Sequence, residues 1–309
     1  WVLLGLALMG AGALLALVWA PRMAKLPLGA GSVAVLGSLA VAIGAVETLW
    51  RATSVSLSLP WALPIGAGTV CLDPLAAWFL LPMALLGGLG ALYGGRYLEP
   101  YAAQRSLRAA WFFYHVLLLS MALVFLAANA VPFLLAWELM SLSSFFLVCF
   151  ESEKESVQRA GWTYLVATHL GGVPLVLFFV VAGYFAGSLE FSAYASMAPI
   201  PAAYASLLFV FALLGFGTKA GFLPLHVWLP EAHPAAPSHV SALMSGVMIK
   251  TGIYGLVRSL SYLDTPPAWW GWLLVAVGAS SGIVGVLFAL AQHDLKRLLA
   301  YHSVENIGI

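Results

Sequence analysis

Charge is what this sequence has least of. Asp, Glu, Lys and Arg make up 8% of its 309 residues and apolar residues 62%, whereas an ordinary soluble domain is about one-quarter charged. A chain with so little charge cannot cover itself with a water-facing surface, so it is read as a polytopic membrane protein. Cysteine is equally scarce: Cys71 and Cys149 stand far apart, which excludes a disulfide framework, a CxxC redox pair and iron–sulfur spacing. No GxGxxG follows a strand and no Walker loop occurs. The chain is therefore expected to hold no nicotinamide, flavin, quinone or metal site of its own, no catalytic residue is assigned, and no nucleic-acid partner is expected.

Long apolar runs are abundant. A bilayer crossing needs about 20 residues at 1.5 Å rise, and runs of that order lie near 1–19, 28–49, 74–94, 110–130, 131–150, 161–186, 203–225, 238–259 and 270–290, with a tenth opening near 296. The expected fold is an all-α membrane helix bundle of about nine full spans and a tenth that is cut short. The first run has no charged leader segment and no small-residue cleavage site, so it reads as a span and not a signal peptide. Because the chain starts without Met and ends within an apolar run, it is expected to be a piece of a longer protein.

The few charges sort by connection. Odd-numbered connections carry Arg22, Lys25, Arg96, Arg105, Arg108, Lys154, Arg159, Lys296 and Arg297; even-numbered ones carry Arg51 and Arg258. By the positive-inside rule the odd connections are cytoplasmic and the N-terminus lies outside. Of the 13 Lys and Arg, those left within apolar runs are Lys219 and Lys250. Most acids, among them Glu99, Glu151, Glu153, Glu155, Glu190, Asp264 and Asp294, lie in connections, and Glu47 and Asp73 sit at span ends. Glu138, in "PFLLAWELMSLSSFFLVCF", does not; His169 is similarly deep in the sixth run.

An ionisable side chain at the centre of a lipid-facing helix costs about 2.5–3.5 kcal/mol, so Glu138, Lys219 and Lys250 would together cost roughly 8–10 kcal/mol if unpaired. They are therefore expected to face the bundle interior and to mark an ion path. Desolvation disfavours the charged form of an amine, and a lysine so placed can release and recapture a proton. The bland readings are a structural ion pair between helices, or a lysine snorkelling to the interface, which suits Lys219 better than Lys250.

The stretch "GFGTKAGFLPLHVWLPEAHPAAPSHV" surrounds Lys219 with Gly215, Gly217 and Gly221 and follows it with Pro224, Pro230, Pro234 and Pro237. That density predicts a seventh helix broken near Lys219, and broken helices at membrane depth line protein or water. In the eighth run His239 and Lys250 return to within about 20° of one helical face. Two readings of His239 stand: a proton relay toward Lys250, or a polar residue at its helix N-terminus. His169 is a second candidate relay. "HVWLPEAH" offers His226, Glu231 and His233, but prolines interrupt it and it is not the HExxH of a zinc site, so these residues are expected to cap and brace the break. His115 reads as packing.

The stretches "WELMSLSSFFLV", "GTKAGFLPLHVWLPEAHPAAPSHVSALMSGVMIKTGIYGLVR" and "HDLKRLLAYHSVENIGI" resemble the antiporter-like subunits shared by respiratory complex I, multisubunit sodium/proton antiporters and membrane-bound hydrogenases. The ending is most similar to the hydrogenase-4 and formate hydrogenlyase branch. The likeness runs from about residue 70 onward; residues 1–60 share only hydropathy. It implies two inverted five-helix repeats: N-terminal helices over 1–109, a first repeat over 110–262, and the start of a second over 263–309. It places the fifth-helix glutamate on Glu138, the broken-helix lysine on Lys219 and the eighth-helix lysine on Lys250. It further implies proton transfer, with Glu138 pairing to and releasing Lys219, driven by peripheral hydrogenase or dehydrogenase subunits and adjoining membrane subunits in a prokaryotic inner membrane. A lysine path without clustered carboxylates favours H⁺ over Na⁺, which wants oxygen ligands. A subunit of a multisubunit antiporter, a stand-alone transporter and a purely structural anchor remain as alternatives.

Overall fold

The computed structural model describes residues 1–18, 28–59, 68–263 and 266–309; Arg22, Lys25 and Asp264 fall outside them. The apolar runs become helices α1 (Val2–Val18), α2 (Leu28–Arg51), α3 (Pro74–Tyr97), α4 (Arg108–Leu126), α5 (Ala130–Val148), α6 (Glu155–Ala186) and, after a short α7 (Phe191–Ala195), α8 (Ala202–Ala220). The chain continues through a short α9 (Leu229–Ala235) into α10 (Ser238–Leu243), a π-helical segment (Met244–Met248) and α11 (Ile249–Leu260), then α12 (Ala268–Leu290) and α13 (Leu295–Gly308). Among the described residues 8 helices are long and apolar enough to cross a membrane; α1, at 17 residues, is a little shorter than a full crossing. The chain is an integral membrane protein.

Local signals explain the boundaries. Asp73 Oδ1 accepts from the Ala76 amide at 2.8 Å with Pro74 opening α3, Asn129 Oδ1 accepts from Val131 at 2.9 Å to start α5, and Asp294 Oδ1 accepts from Arg297 at 2.8 Å to start α13. Gly187 stops α6 at φ 66°, and Gly221 stops α8 at φ 83°, a conformation open to glycine at little cost. The seventh helix is therefore broken just after Lys219, as its sequence predicts.

One departure from the all-α expectation lies in the second connection. Val55–Leu59 (β1) and Gly68–Leu72 (β2) pair antiparallel, with Val55 opposite Leu72. Alternation in "VSLSL" carries this strand, and the hairpin is too short to have competed with the helical periodicity around it.

Contacts between connections sort them into two sets. Arg105, in the third connection, bonds the Phe150 carbonyl and Glu153 in the fifth. Arg297, at the start of α13, meets Glu231 in the seventh at 3.1 Å, and Lys296 donates to Ala236 O at 2.8 Å. On the other side, Val70 bridges Ala127, Asn129 Nδ2 donates to Glu190 at 2.9 Å, and Arg258 grips Asp73 with both terminal nitrogens, at 2.5 and 2.9 Å. Odd connections touch odd ones and even touch even, as alternating membrane crossings require. The interior is formed where α5, α6, α8 and α11 pack, around fully buried Trp137, Tyr164, Phe216, Trp228 and Tyr254.

Candidate functional site

Lys219 stands in the last turn of α8, directly before the break, and is 2% exposed. Its ammonium is met by hydroxyls and rings and not by a carboxylate. Nζ donates to Ser141 Oγ at 2.8 Å and to Tyr164 OH at 3.4 Å, and lies 5.5 Å from the Trp137 ring centroid and 5.6 Å from that of Tyr164. Aromatic faces attract a cation but cannot take its proton.

The directions of these bonds follow from their ends. Ser141 Oγ donates to Trp137 O at 3.0 Å and Ser144 Oγ to Met140 O at 2.7 Å. With its own proton committed to a carbonyl, Ser144 accepts from Tyr164 across 2.6 Å. Tyr164 is thereby left with oxygen lone pairs toward Lys219. Two short chains thus run from the amine through hydroxyls to α5 carbonyls, and Tyr164 OH also lies 3.7 Å from Met248 Sδ, in the π segment that precedes Lys250.

The break is sealed by its neighbours. Gly221 N and Phe222 N both bond Gly217 O, at 2.9 and 3.0 Å, Trp228 Nε1 donates to Thr218 O at 2.9 Å, and Leu223 N donates to Ser281 Oγ on α12 at 2.9 Å. Backbone freed by interrupting a helix at membrane depth needs such partners. Glu231 and His233 do brace this region, Glu231 through Arg297 and His233 Nδ1 through Ser241 Oγ at 3.1 Å. Among the described residues no three His, Cys, Asp or Glu gather as a metal-ligand set.

Lys250 is half-buried, with Nζ donating to Ser245 O at 2.6 Å; Ser245 Oγ in turn meets Ser303 Oγ of α13 at 2.7 Å. The π segment alters the stripe expected for this helix. A π turn takes in one extra residue, about 100° of helical phase, so His239 and Lys250 do not share a face. His239 instead packs on α3 and α4, with its ring 5.7 Å from Tyr97 and 5.6 Å from Tyr114.

Glu138 lies midway along α5 and is not in contact with Lys219. Its Oε2 sits 3.6 Å from His169 Nε2 on α6, while its charge still falls within electrostatic range of Lys219 and Tyr164. Among the described residues no carboxylate comes within 4.0 Å of either lysine. The structure thus joins Glu138 with His169, and Lys219 with Ser141 and Tyr164, and separates His239 from Lys250. Tyr164 and Ser144 escape the sequence reading. Their signal is a cluster of hydroxyls, Ser141 and Ser144 one turn apart on α5 and a tyrosine deep in the next span.

The NADH:quinone oxidoreductase/Mrp antiporter transmembrane family matches residues 127–309. Hydrogenase-4 component B of Escherichia coli K12 is 43% identical over 244 residues, covering 78% of this chain and 36% of that protein. Formate hydrogenlyase subunit 3 of the same organism is 30% identical over 306 residues, covering 99% of this chain and 48% of that one. In the solved structure of the Mrp complex from Dietzia sp. DQ12-45-1b, one chain superposes with a TM-score of 0.84 at 26% identity, over 99% of this chain and 33% of that one. The chain spans less than half the length of these relatives.

Proposed function

Because the chain belongs to the NADH:quinone oxidoreductase/Mrp antiporter transmembrane family, we propose that it carries protons as an antiporter-like membrane subunit of a redox-driven complex of the hydrogenase or NADH dehydrogenase kind. Glu138, Lys219 and Lys250 form the path, His169 is a relay at its start, and adjoining membrane subunits and peripheral redox subunits are the partners. His239, the other candidate relay, packs against Tyr97 and Tyr114. The membrane is a bacterial inner membrane with the N-terminus outside.

The observation that carries this reading is the cage around Lys219. A lysine kept only for structure would be matched by a buried carboxylate, since an unpaired buried charge is strongly destabilising. Here the amine is held by hydroxyls, and the carboxylate that could pair with it stands one helix face away. That arrangement suits a group that spends part of its time neutral: approach of Glu138 stabilises the charged amine and its withdrawal favours release. With hydroxyls and rings, and no cluster of carboxylates, around the lysine, the ion is H⁺ rather than Na⁺. A second reading, a subunit of a multisubunit cation antiporter, is favoured by the likeness to the Mrp complex over 99% of this chain.

The test is proton translocation by the full-length protein in its membrane complex with Glu138→Gln and Glu138→Asp. The Gln variant keeps size and hydrogen bonding and removes the charge, so pumping should fall at least tenfold while redox turnover persists; Asp should retain a part. Wild-type pumping by Glu138→Gln would remove Glu138 from the path.

A further inference from the structure

The Glu138–His169 pair occupies an unusual position: two titratable side chains at membrane depth, both turned to the outer face of α5 and α6. The side chains are 40% and 49% exposed, and around them Leu135, Leu139, Val166, Leu170 and Val173 present apolar surface. α6 makes room for the carboxylate, because a Cβ built on Gly172 would stand 3.0 Å from Glu138 Oε1.

The tautomer of His169 follows from its other nitrogen. Nδ1 lies 2.9 Å from Leu165 O, and a carbonyl only accepts, so Nδ1 carries a hydrogen. In a neutral ring Nε2 would then be a bare lone pair 3.6 Å from Oε2 of a carboxylate. Two acceptors facing each other in an apolar setting repel, and one proton between them removes the conflict.

Packed elements bring few other titratable groups to this point. Lys219 on α8 and Tyr164 on α6 feel the Glu138 charge. Other groups on packed elements have partners elsewhere: His115 on α4 toward Gly12 and Tyr114 toward Gly87 O, His239 on α10 toward Gly94, His233 on α9 toward Ser241, Glu231 toward Arg297, Glu151 toward Lys154 and Tyr194 on α7 toward Phe179 O.

We propose that His169 is a positioning residue that holds one proton on Nε2 against Glu138, and so determines whether Glu138 is ionised and able to act on Lys219. The inference rests on the proton-path reading and adds its control point. With the proton present, the imidazolium keeps Glu138 ionised and the carboxylate's charge is felt by Lys219. When His169 gives up its proton, Glu138 loses the cation that favours its ionised form, takes up a proton more readily, and its charge is withdrawn from Lys219.

Infrared spectroscopy of the full-length protein in its membrane complex at neutral pH tests this without recourse to pumping. The protonated-carboxyl band of Glu138 is identified by its loss in Glu138→Gln. Loss of an opposite charge at this distance moves a carboxyl's protonation equilibrium by at least about tenfold, so that band should grow about tenfold in His169→Leu and stay at the wild-type level in His169→Arg. His169→Gln is the second neutral variant should Leu disturb assembly. An unchanged band in the neutral variants overturns the proposal, even where Glu138→Gln has abolished pumping. Normal pumping by Glu138→Gln would instead overturn the proton path and leave the infrared result standing.

Discussion

At the scale of single residues, partners matter more than burial. Lys219 is recognisable from sequence as a cation in the wrong solvent, and the apolar run before it and the glycines around it are enough to single it out. Its neighbours are not recognisable in that way, because Ser141 and Tyr164 are brought to it from other helices across 78 and 55 residues of chain. Asp73 and Arg258 teach the same lesson. Each looks like an ordinary residue at a span end, yet they form a two-point clamp, with Arg258 also donating to Tyr254 OH at 3.0 Å. Burial alone would raise the Asp73 carboxyl, but the Arg258 guanidinium and the Ala76 amide outweigh it and hold it below its ordinary value. A carboxylate depressed in the folded state contributes stability above its unfolded pKa, near 3.9, and loses it as pH falls through the lower folded value. Thermal stability of the purified protein should therefore drop below about pH 4 more steeply than in Asp73→Asn. The Asn variant should already be weaker at neutral pH by about 3 kcal/mol, the low end for breaking a buried pair, because each side chain keeps about a fifth of its exposure. Identical pH profiles for the two proteins would show that the clamp carries no stability.

At the scale of elements, the helices and the break after Lys219 were legible, because apolar run length and glycine–proline density act locally. The hairpin β1–β2 and the π segment were not. Five-residue strands barely register beside runs of twenty, and a π turn leaves the hydrophobic pattern intact while rotating everything beyond it, which is why His239 and Lys250 part company. Packing of α8 on α11 places the two lysines, and it depends on Gly252. A Cβ there would stand 2.5 Å from Phe216 O and 2.8 Å from Ala220 N, backbone atoms that cannot step aside. Gly252→Val should push the helices apart and cost about 1–3 kcal/mol, read as a lower melting temperature and a lower yield of assembled complex. Gly271→Ala, where an added Cβ meets nothing within 4 Å, serves as the control. Equal stability of both variants would mean that α8 and α11 are not in close contact.

At the scale of the whole molecule, alternation of the connections, a broken seventh helix and a buried lysine caged by hydroxyls underlie the proposed movement of protons through the bilayer interior. Its central claim is that Lys219 exchanges a proton and does not merely carry a charge. Lys219→Arg separates these two roles, because a guanidinium keeps the positive charge and could pair with Glu138, yet with a pKa above about 12 it cannot release a proton. Lys219→Ala removes both functions and controls for the size of the substituted side chain. The decisive measurement is proton uptake by the reconstituted complex, with redox turnover followed in parallel. The account predicts that the Arg variant assembles and turns over but fails to pump, as completely as Ala; an Arg variant that pumps at the wild-type rate would contradict it.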